Sequence, residues 1–144
     1  MSGWRCPECG RLFGHRDQQH SCLASDVGAA LGKVKPQLRP LLDALLDLVQ
    51  GLPAVRVEHA SGSFMVKAPA TFCSFRPRAR DIQVSFIIDR ELDVFPISKS
   101  LRLSAHRVAH SVHVDDMAAI DPQLRSWIKE AYSLSIAIHR GSTD

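Results

Sequence analysis

The clearest helical pattern in the chain lies in residues 38–52, where apolar side chains recur every three or four positions. Pro40 suits the first turn of a helix, and Gly51 followed by Pro53 is a typical helix stop. We therefore predict an amphipathic helix whose buried face is made of Leu38, Leu41, Leu42, Leu45, Leu48, Val49 and Leu52.

The hydrophobic period changes from about 3.6 to two after this helix, which indicates β-strands. Val55, Val57 and His59 alternate with polar residues, and the segment 61–63 (Ser-Gly-Ser) is typical of a hairpin turn. Further strands are predicted at residues 64–68, 71–75, 82–88 and 108–114, with a polar loop before the last of them. Short connections between strands favour antiparallel pairing.

A second long helix is predicted near the end of the chain. Asp121 is a good N-cap, and Pro122 suits the first helical position. The apolar stripe of this helix consists of Leu124, Trp127, Ile128, Ala131, Leu134 and Ile138. Two amphipathic helices and about five strands predict an α+β fold, in which an antiparallel sheet packs against both helices.

The first 22 residues predict a small zinc-binding module that precedes this domain. Cys6 and Cys9 are separated by two residues, a spacing that lets both sulfurs face one point, and Cys22 follows with His20. Zinc prefers four tetrahedral nitrogen or sulfur ligands, and these four residues supply that number. His15 is an alternative fourth ligand, but His20 makes a more compact pair with Cys22. A site filled by four protein ligands predicts structural Zn²⁺ rather than a catalytic metal.

The chain therefore divides into three predicted parts. Residues 1–22 form the zinc-finger-like module, and residues 23–35 form a linker rich in small residues that could hold a short helix. Residues 36–140 form the α+β domain, which is long enough to bury its own core. A segment as short as the zinc module has almost no core, so metal binding would supply most of its folding free energy.

Composition narrows the class of protein without identifying a reaction. The 144 residues are 45% hydrophobic and carry a net charge of +3, which is too small to indicate a nucleic-acid partner by itself. No segment approaches the roughly 20 apolar residues of a membrane span, and the start lacks the apolar run of a secretory signal. We expect a cytoplasmic protein that does not bind membranes, with its clustered cysteines reduced.

Basic residues provide one candidate binding site in the α+β domain. Arg76, Arg78 and Arg80 alternate, so an extended segment would present all three on one side, where they could contact phosphates. The competing interpretation is a solvated loop whose charges are balanced by nearby aspartates. The full set of candidate nucleic-acid or anion contacts is Arg76, Arg78, Arg80, Lys99, Arg102 and Arg107.

Histidines provide a second candidate site, a pocket lined by His59, His106 and His110. By strand parity, His106 and His110 should share the apolar side of their strand. A histidine among valines is more often a core residue with satisfied hydrogen bonds than a ligand or a general base. Cys73 lies among apolar neighbours and is interpreted as a buried structural thiol.

Sequence motifs of enzymes are absent. The chain has no phosphate-binding glycine loop, no nucleophile elbow and no metalloprotease helix. Because catalytic residues can converge from distant segments, enzymatic activity stays uncertain, although a binding role is favoured.

Nearly the whole chain resembles a known bacterial family. The segment Cys-Pro-Glu-Cys-Gly-Arg-Leu-Phe at 6–13, the Gln-His-Ser-Cys at 19–22 and the segment 125–132 are similar to the domain-of-unknown-function family numbered 5655, in members with an N-terminal zinc-finger-like segment. The resemblance implies an intracellular bacterial protein with no assigned activity. Similar domains attached to nuclease-like modules imply a weak link to nucleic acids.

Two functional hypotheses follow from the sequence. The first is a binding or adaptor module that contacts a nucleic acid or an acidic protein through the arginines and the zinc module. The second is a small-molecule-binding or catalytic domain with a histidine-lined pocket, in which the zinc module is purely structural.

Replacing one predicted ligand tests the zinc assignment and the division of the chain. Cys9→Ser is expected to release zinc and unfold residues 4–22, because the metal supplies most of the stability of that segment. Native mass spectrometry should find one zinc per wild-type chain and none in the variant. The α+β domain should keep its cooperative melting transition, and loss of that transition would show that the two parts do not fold separately.

Overall fold

A computed structural model of the chain describes residues 4–5, 12–13, 27–68 and 70–141, with side chains described from 27 to 138 apart from 69. Near the start, β1 (Trp4–Arg5) and β2 (Leu12–Phe13) pair antiparallel. Most of the described chain forms one antiparallel sheet with three helices.

The large sheet has six strands in the spatial order β3-β4-β5-β6-β8-β7, and every neighbouring pair is antiparallel. The strands are β3 (Arg56–Ala60), β4 (Ser63–Lys67), β5 (Thr71–Pro77), β6 (Ile82–Ile88), β7 (Lys99–Ser104) and β8 (Arg107–Val114). Alternate residues of β6 and β8 are fully buried, so one face of the sheet carries the core.

Three helices accompany the sheet: α1 (Val27–Gly32), α2 (Arg39–Gln50) and α3 (Pro122–Gly141). As predicted, Pro40 lies in the first turn of α2, and Gly51 follows its last residue. Asp121 caps α3, since its Oδ1 accepts a hydrogen bond of 2.8 Å from the amide of Leu124. The α+β architecture with an antiparallel sheet and two main helices is therefore confirmed.

Aromatic packing joins the helices to the sheet. The ring of Phe86 on β6 stacks on Trp127 of α3, with ring centroids 5.5 Å apart. Tyr132 of α3 also packs edge-on against Phe72, and its hydroxyl donates a hydrogen bond of 2.8 Å to the carbonyl of Pro53. Aromatic pairs of this kind contribute about 0.5–1.5 kcal/mol beyond the area that they bury. Tyr132 thus connects α3 to both β5 and the loop that follows α2.

A β-bulge places two successive residues of β5 in the core. Val66 on β4 pairs with Cys73, whereas the adjacent Lys67 pairs with Thr71, so β5 has one residue more than its partner at this point. The extra residue is Phe72, and both Phe72 and Cys73 are buried. Strict alternation would have turned one of them away from the helices.

The sequence predicted about five strands, and the sheet has six. The difference is β7, which lies inside the segment that was expected to be a polar loop. All six of its residues are exposed, because it is an edge strand that no described helix covers. Its alternation is short, with only Leu101 and Leu103 between Ser100, Arg102 and Ser104, and it was not recognised as a strand from the sequence.

None of the helices in the described part of the chain is long and apolar enough to cross a membrane.

The hairpin between β3 and β4 allows a test of backbone strain with a matched control. Ser61 and Gly62 both have positive φ, at 53° and 80°, as a two-residue type I′ turn requires. Gly62→Ala meets no atom within 4 Å, yet it is expected to lower the free energy of unfolding by about 1–2 kcal/mol because of the left-handed backbone.

Gly32→Ala at the end of α1 is the control, since Gly32 also has open space around it and lacks a positive φ. Its free energy of unfolding should stay unchanged or rise slightly. Urea denaturation of both variants measures the difference, and equal stabilities would exclude backbone strain at Gly62.

Candidate functional site

The sheet has a second face, opposite the helices, that is lined by polar side chains. In register across the strands, Ser74 lies beside Ser85, Ser85 beside Ser111, and Ser111 beside Lys99 of the edge strand. Gln83 Nε2 lies 3.4 Å from Ser111 Oγ, and Ser85 Oγ lies 3.1 Å from the same atom. We name this surface the polar face; its residues include Arg56, Glu58, Met65, Lys67, Ser74, Arg76, Gln83, Ser85, Lys99, Ser111 and His113. An apolar row of Ile87, Ala109 and Leu101 lies on the same side, next to the serines.

Charge is distributed unequally between the sheet and the remainder of the described side chains. The six strands contain six lysines and arginines and a single acidic residue, Glu58. The helices and loops between 27 and 138 contain eight lysines and arginines and ten aspartates and glutamates. The sheet is therefore strongly positive, whereas the rest of the described domain is slightly negative.

Glu58 is already paired within the sheet. Its carboxylate lies 3.1 Å from Lys67 Nζ and 3.8 Å from the Arg56 guanidinium. Arg76 and Lys99 are exposed, and neither forms an ion pair or a side-chain hydrogen bond with the described residues. These two cations are therefore available to an external anion.

The three alternating arginines do not continue as one extended segment. β5 ends at Pro77, and the amide of Arg78 then donates a hydrogen bond of 2.8 Å to the carbonyl of Asp81. This turn lies between Arg76 and Arg80, so the expected single side of three arginines is not formed. Arg78 Nε lies 3.7 Å from the Asp81 carboxylate, which partly neutralises it.

The other predicted cationic contacts lie in different places. Lys99 is on the polar face, while Arg102 is exposed on the edge strand and donates to the carbonyls of Ser104 and Ala105. Arg107 is half-buried at the start of β8 and lines a cavity beside α3. The six predicted cationic residues thus do not form a single site.

The three histidines of the predicted pocket are far apart. His59 is on β3 and His110 on β8, with three strands between them, a separation of about 19 Å at ordinary strand spacing. His106 lies in the turn before β8, where its Nδ1 is 3.3 Å from the Asp89 carboxylate and its side chain is 79% exposed. The expected common face of His106 and His110 is not formed, because the strand begins only at Arg107.

His59 contacts the aromatic ring of Phe64 near the end of the β3–β4 hairpin, with ring centroids 4.7 Å apart. Burial and the nearby charge of Lys33 lower the pKa of its imidazole. A neutral imidazole packed on a phenyl ring is consistent with a structural contact.

His110 is fully buried and has a structural role. Its Nε2 accepts a hydrogen bond of 2.9 Å from the amide of Leu92, which belongs to the loop between β6 and β7. Its ring also stacks on Phe86. The pKa of His110 is lowered mainly by burial. The hydrogen bond from the Leu92 amide also requires that Nε2 be unprotonated.

Cys73 is buried, as expected, and its thiol is free. Burial raises the pKa of this thiol well above its usual range, so the thiolate needed for nucleophilic chemistry is suppressed.

The predicted zinc ligands Cys6, Cys9, His20 and Cys22, and the alternative His15, lie outside the described residues. Within the described ranges, no group of three or more His, Cys, Asp or Glu side chains could hold a metal ion.

Sequence analysis missed the serines of the polar face and the partner of His110. Ser74, Ser85 and Ser111 occupy the outward positions of their strands, so strand alternation could have indicated them once the register was known. The Leu92 amide is 18 residues from His110 in sequence and carries no local signal.

The pH dependence of stability tests the buried state of His110. The unfolded chain takes up a proton near pH 6.5, whereas the folded protein resists it, so the free energy of unfolding should fall as the pH drops below 6.5. One histidine contributes at most about 1.4 kcal/mol per pH unit. Gln at this position can still accept a hydrogen bond but cannot titrate, so His110→Gln should remove this contribution.

Urea denaturation above and below pH 6.5 measures the effect. His106→Gln, at a histidine whose side chain is 79% exposed, is the matched control, and it should leave the contribution of His110 in place. Identical pH profiles for wild type and His110→Gln would show that His110 does not resist protonation.

A family model described as a domain of unknown function, DUF5655, matches residues 27–135. The matched region contains α1, α2, the six-stranded sheet and most of α3, and it begins after the predicted zinc ligands. No curated protein and no solved structure matches the chain. Because the match covers more than half of the sequence, the chain belongs to the DUF5655 family.

Proposed function

We propose that this protein is a binding module that contacts the sugar–phosphate backbone of a nucleic acid through the polar face of its sheet. The observation that carries the proposal is the charge of the polar face: four of the six sheet cations, Arg56, Lys67, Arg76 and Lys99, lie on it against one acidic residue, Glu58, which is itself paired. Positive charge concentrated on one surface attracts polyanions and releases their counterions.

The spacing of the available cations suits an extended polyanion. Arg76 is on β5 and Lys99 is on β7, three strands away, which corresponds to about 14 Å at ordinary strand spacing. Several successive phosphates of one strand cover such a distance. The serines between these two residues can donate hydrogen bonds to phosphate oxygens without discriminating between bases.

The polar face predicts little preference for sequence. Its described strands present no aromatic side chain to solvent on this side, so base stacking of the kind used by many single-strand binders is not expected here. Contacts to phosphates position a nucleic acid without reading its bases. We therefore propose binding that depends on charge and salt more than on sequence.

The zinc module is proposed as a structural element of the same protein. Thiolate and imidazole ligands at Cys6, Cys9, His20 and Cys22 fit the tetrahedral preference of zinc, and all four positions would be filled by protein. These residues would order the start of the chain when the metal is bound.

Charge reversal on the polar face tests this function. Arg76→Glu and Lys99→Glu should each weaken the binding of a fluorescent single-stranded oligonucleotide about tenfold at low salt, through loss of one charged contact. Each should also reduce the slope of log affinity against log salt by about 0.7. Fluorescence anisotropy over a range of salt concentrations measures both quantities.

Lys129→Glu is the matched control, because Lys129 is exposed on α3 in the helix layer and the substitution changes net charge equally. Equal losses in Lys129→Glu and Arg76→Glu would indicate an effect of net charge alone and would contradict a site on the polar face. Unlabelled polyglutamate serves as a competitor of another chemical class. If it displaced the oligonucleotide at the same concentration as an unlabelled nucleic acid, an acidic protein partner would replace the nucleic acid in the proposal.

A further inference from the structure

A cavity of about 190 Å³ lies between α3 and the end of the sheet where β5 and β8 begin and β6 ends. Its wall includes Phe72, Ile87, Arg107, Ala131, Leu134 and Ile138. Apart from the arginine, these side chains are apolar, and the hydroxyl-bearing residues Thr71 and Ser135 also line the cavity. The cavity is separate from the serine row of the polar face and contains none of the three histidines.

Arg107 has no charged partner in the described structure. It is half-buried, and neither a hydrogen bond nor an ion pair joins its side chain to another described residue. Asp89, which the strand register brings toward the same position, instead lies 3.3 Å from His106. A partly buried guanidinium without a carboxylate is unusual, because partial desolvation is ordinarily offset by pairing.

Arg90 on the neighbouring loop shows the usual arrangement. Its guanidinium makes two hydrogen bonds, of 2.9 and 3.0 Å, with the Glu130 carboxylate on α3. The same kind of partner would suit Arg107: a carboxylate whose two oxygens accept hydrogen bonds from two guanidinium nitrogens. The described part of the chain supplies such a group to Arg90 and not to Arg107.

The volume of the cavity limits the size of its ligand. An apolar protein cavity of about 150 Å³ is known to accommodate benzene, so 190 Å³ suits a body of about one ring with a small polar group attached. The hydroxyl of Ser135 also faces this region but donates a hydrogen bond of 2.9 Å to the carbonyl of Ala68. Arg107 is therefore the one cation of the described cavity wall and the group that would recognise an anion, while Thr71 adds a hydroxyl.

We propose that this cavity binds a small monocarboxylate whose apolar part is about the size of one ring. The carboxylate would pair with Arg107, while the apolar part would pack against Phe72, Leu134 and Ala131. This site does not depend on the proposed nucleic-acid function, since Arg76 and Lys99 lie elsewhere on the sheet.

Benzoate and its uncharged analogue benzamide test the proposal on the full-length protein. Chemical shifts of backbone amides, followed during titration, should move around residues 70–72 and 131–138 with benzoate. The dissociation constant for benzoate should be at least about tenfold lower than for benzamide, because a paired guanidinium adds more than 1.4 kcal/mol. No saturable shifts with benzoate at millimolar concentrations would overturn the proposal.

Three variants separate recognition from loss of folding. Arg107→Gln should abolish the preference for benzoate over benzamide, whereas Arg102→Gln, which changes an exposed arginine outside the cavity, should keep it. Leu134→Trp at a half-buried position should fill the cavity and weaken both ligands. Thermal melting checks that each variant is folded. Retention of the preference in Arg107→Gln, or of binding in Leu134→Trp, would contradict the assignment.

Discussion

The packing of Trp127 against Phe86 is the contact on which the architecture depends. It joins the longest described helix to β6, a central strand that lies third from the β7 edge of the six-stranded sheet, where Phe86 is fully buried. Phe86 also stacks on His110, so helix α3, strand β6 and strand β8 share one continuous aromatic column. Helices α2 and α3 both pack on the face of the sheet that carries Phe86. The opposite face is therefore open to solvent, and recognition there would rely mainly on charge and hydrogen bonds.

Much of the fold could be predicted because burial imposes a period on the sequence. The alternation in β6 and the stripe of α3 both arise from side chains that must face one core. Strand β7 was missed: its only period-two signal is Leu101 and Leu103 between polar residues, and both leucines are exposed and belong to no core stripe. The bulge at Phe72 was equally hidden, because an added residue becomes visible only when the partner strand and its register are known.

Candidate binding residues were harder to place than the core. The sequence identified Arg76 and Lys99 as cations, but only the pairing of strands shows that both lie on the face with the serine row. Arg78 and Arg80 were grouped with Arg76 by alternation, which holds only while the strand continues. His59 and His110, which the sequence grouped in one pocket, lie far apart for a related reason. Proximity across a sheet depends on the spatial order of the strands and not on their order in sequence.

The exposed edge strand has a consequence for how the molecules behave at high concentration. A free edge offers unpaired backbone groups to another chain and can lead to intermolecular sheets. Here the register of β7 shifts between Arg102 and Ser104, and Lys99 projects a charge near its start. An irregular edge with fixed positive charge pairs poorly with a second copy of itself. The shifted register and the charge of Lys99 therefore oppose edge-to-edge pairing of β7, whereas the exposed side chains of Leu101 and Leu103 favour it.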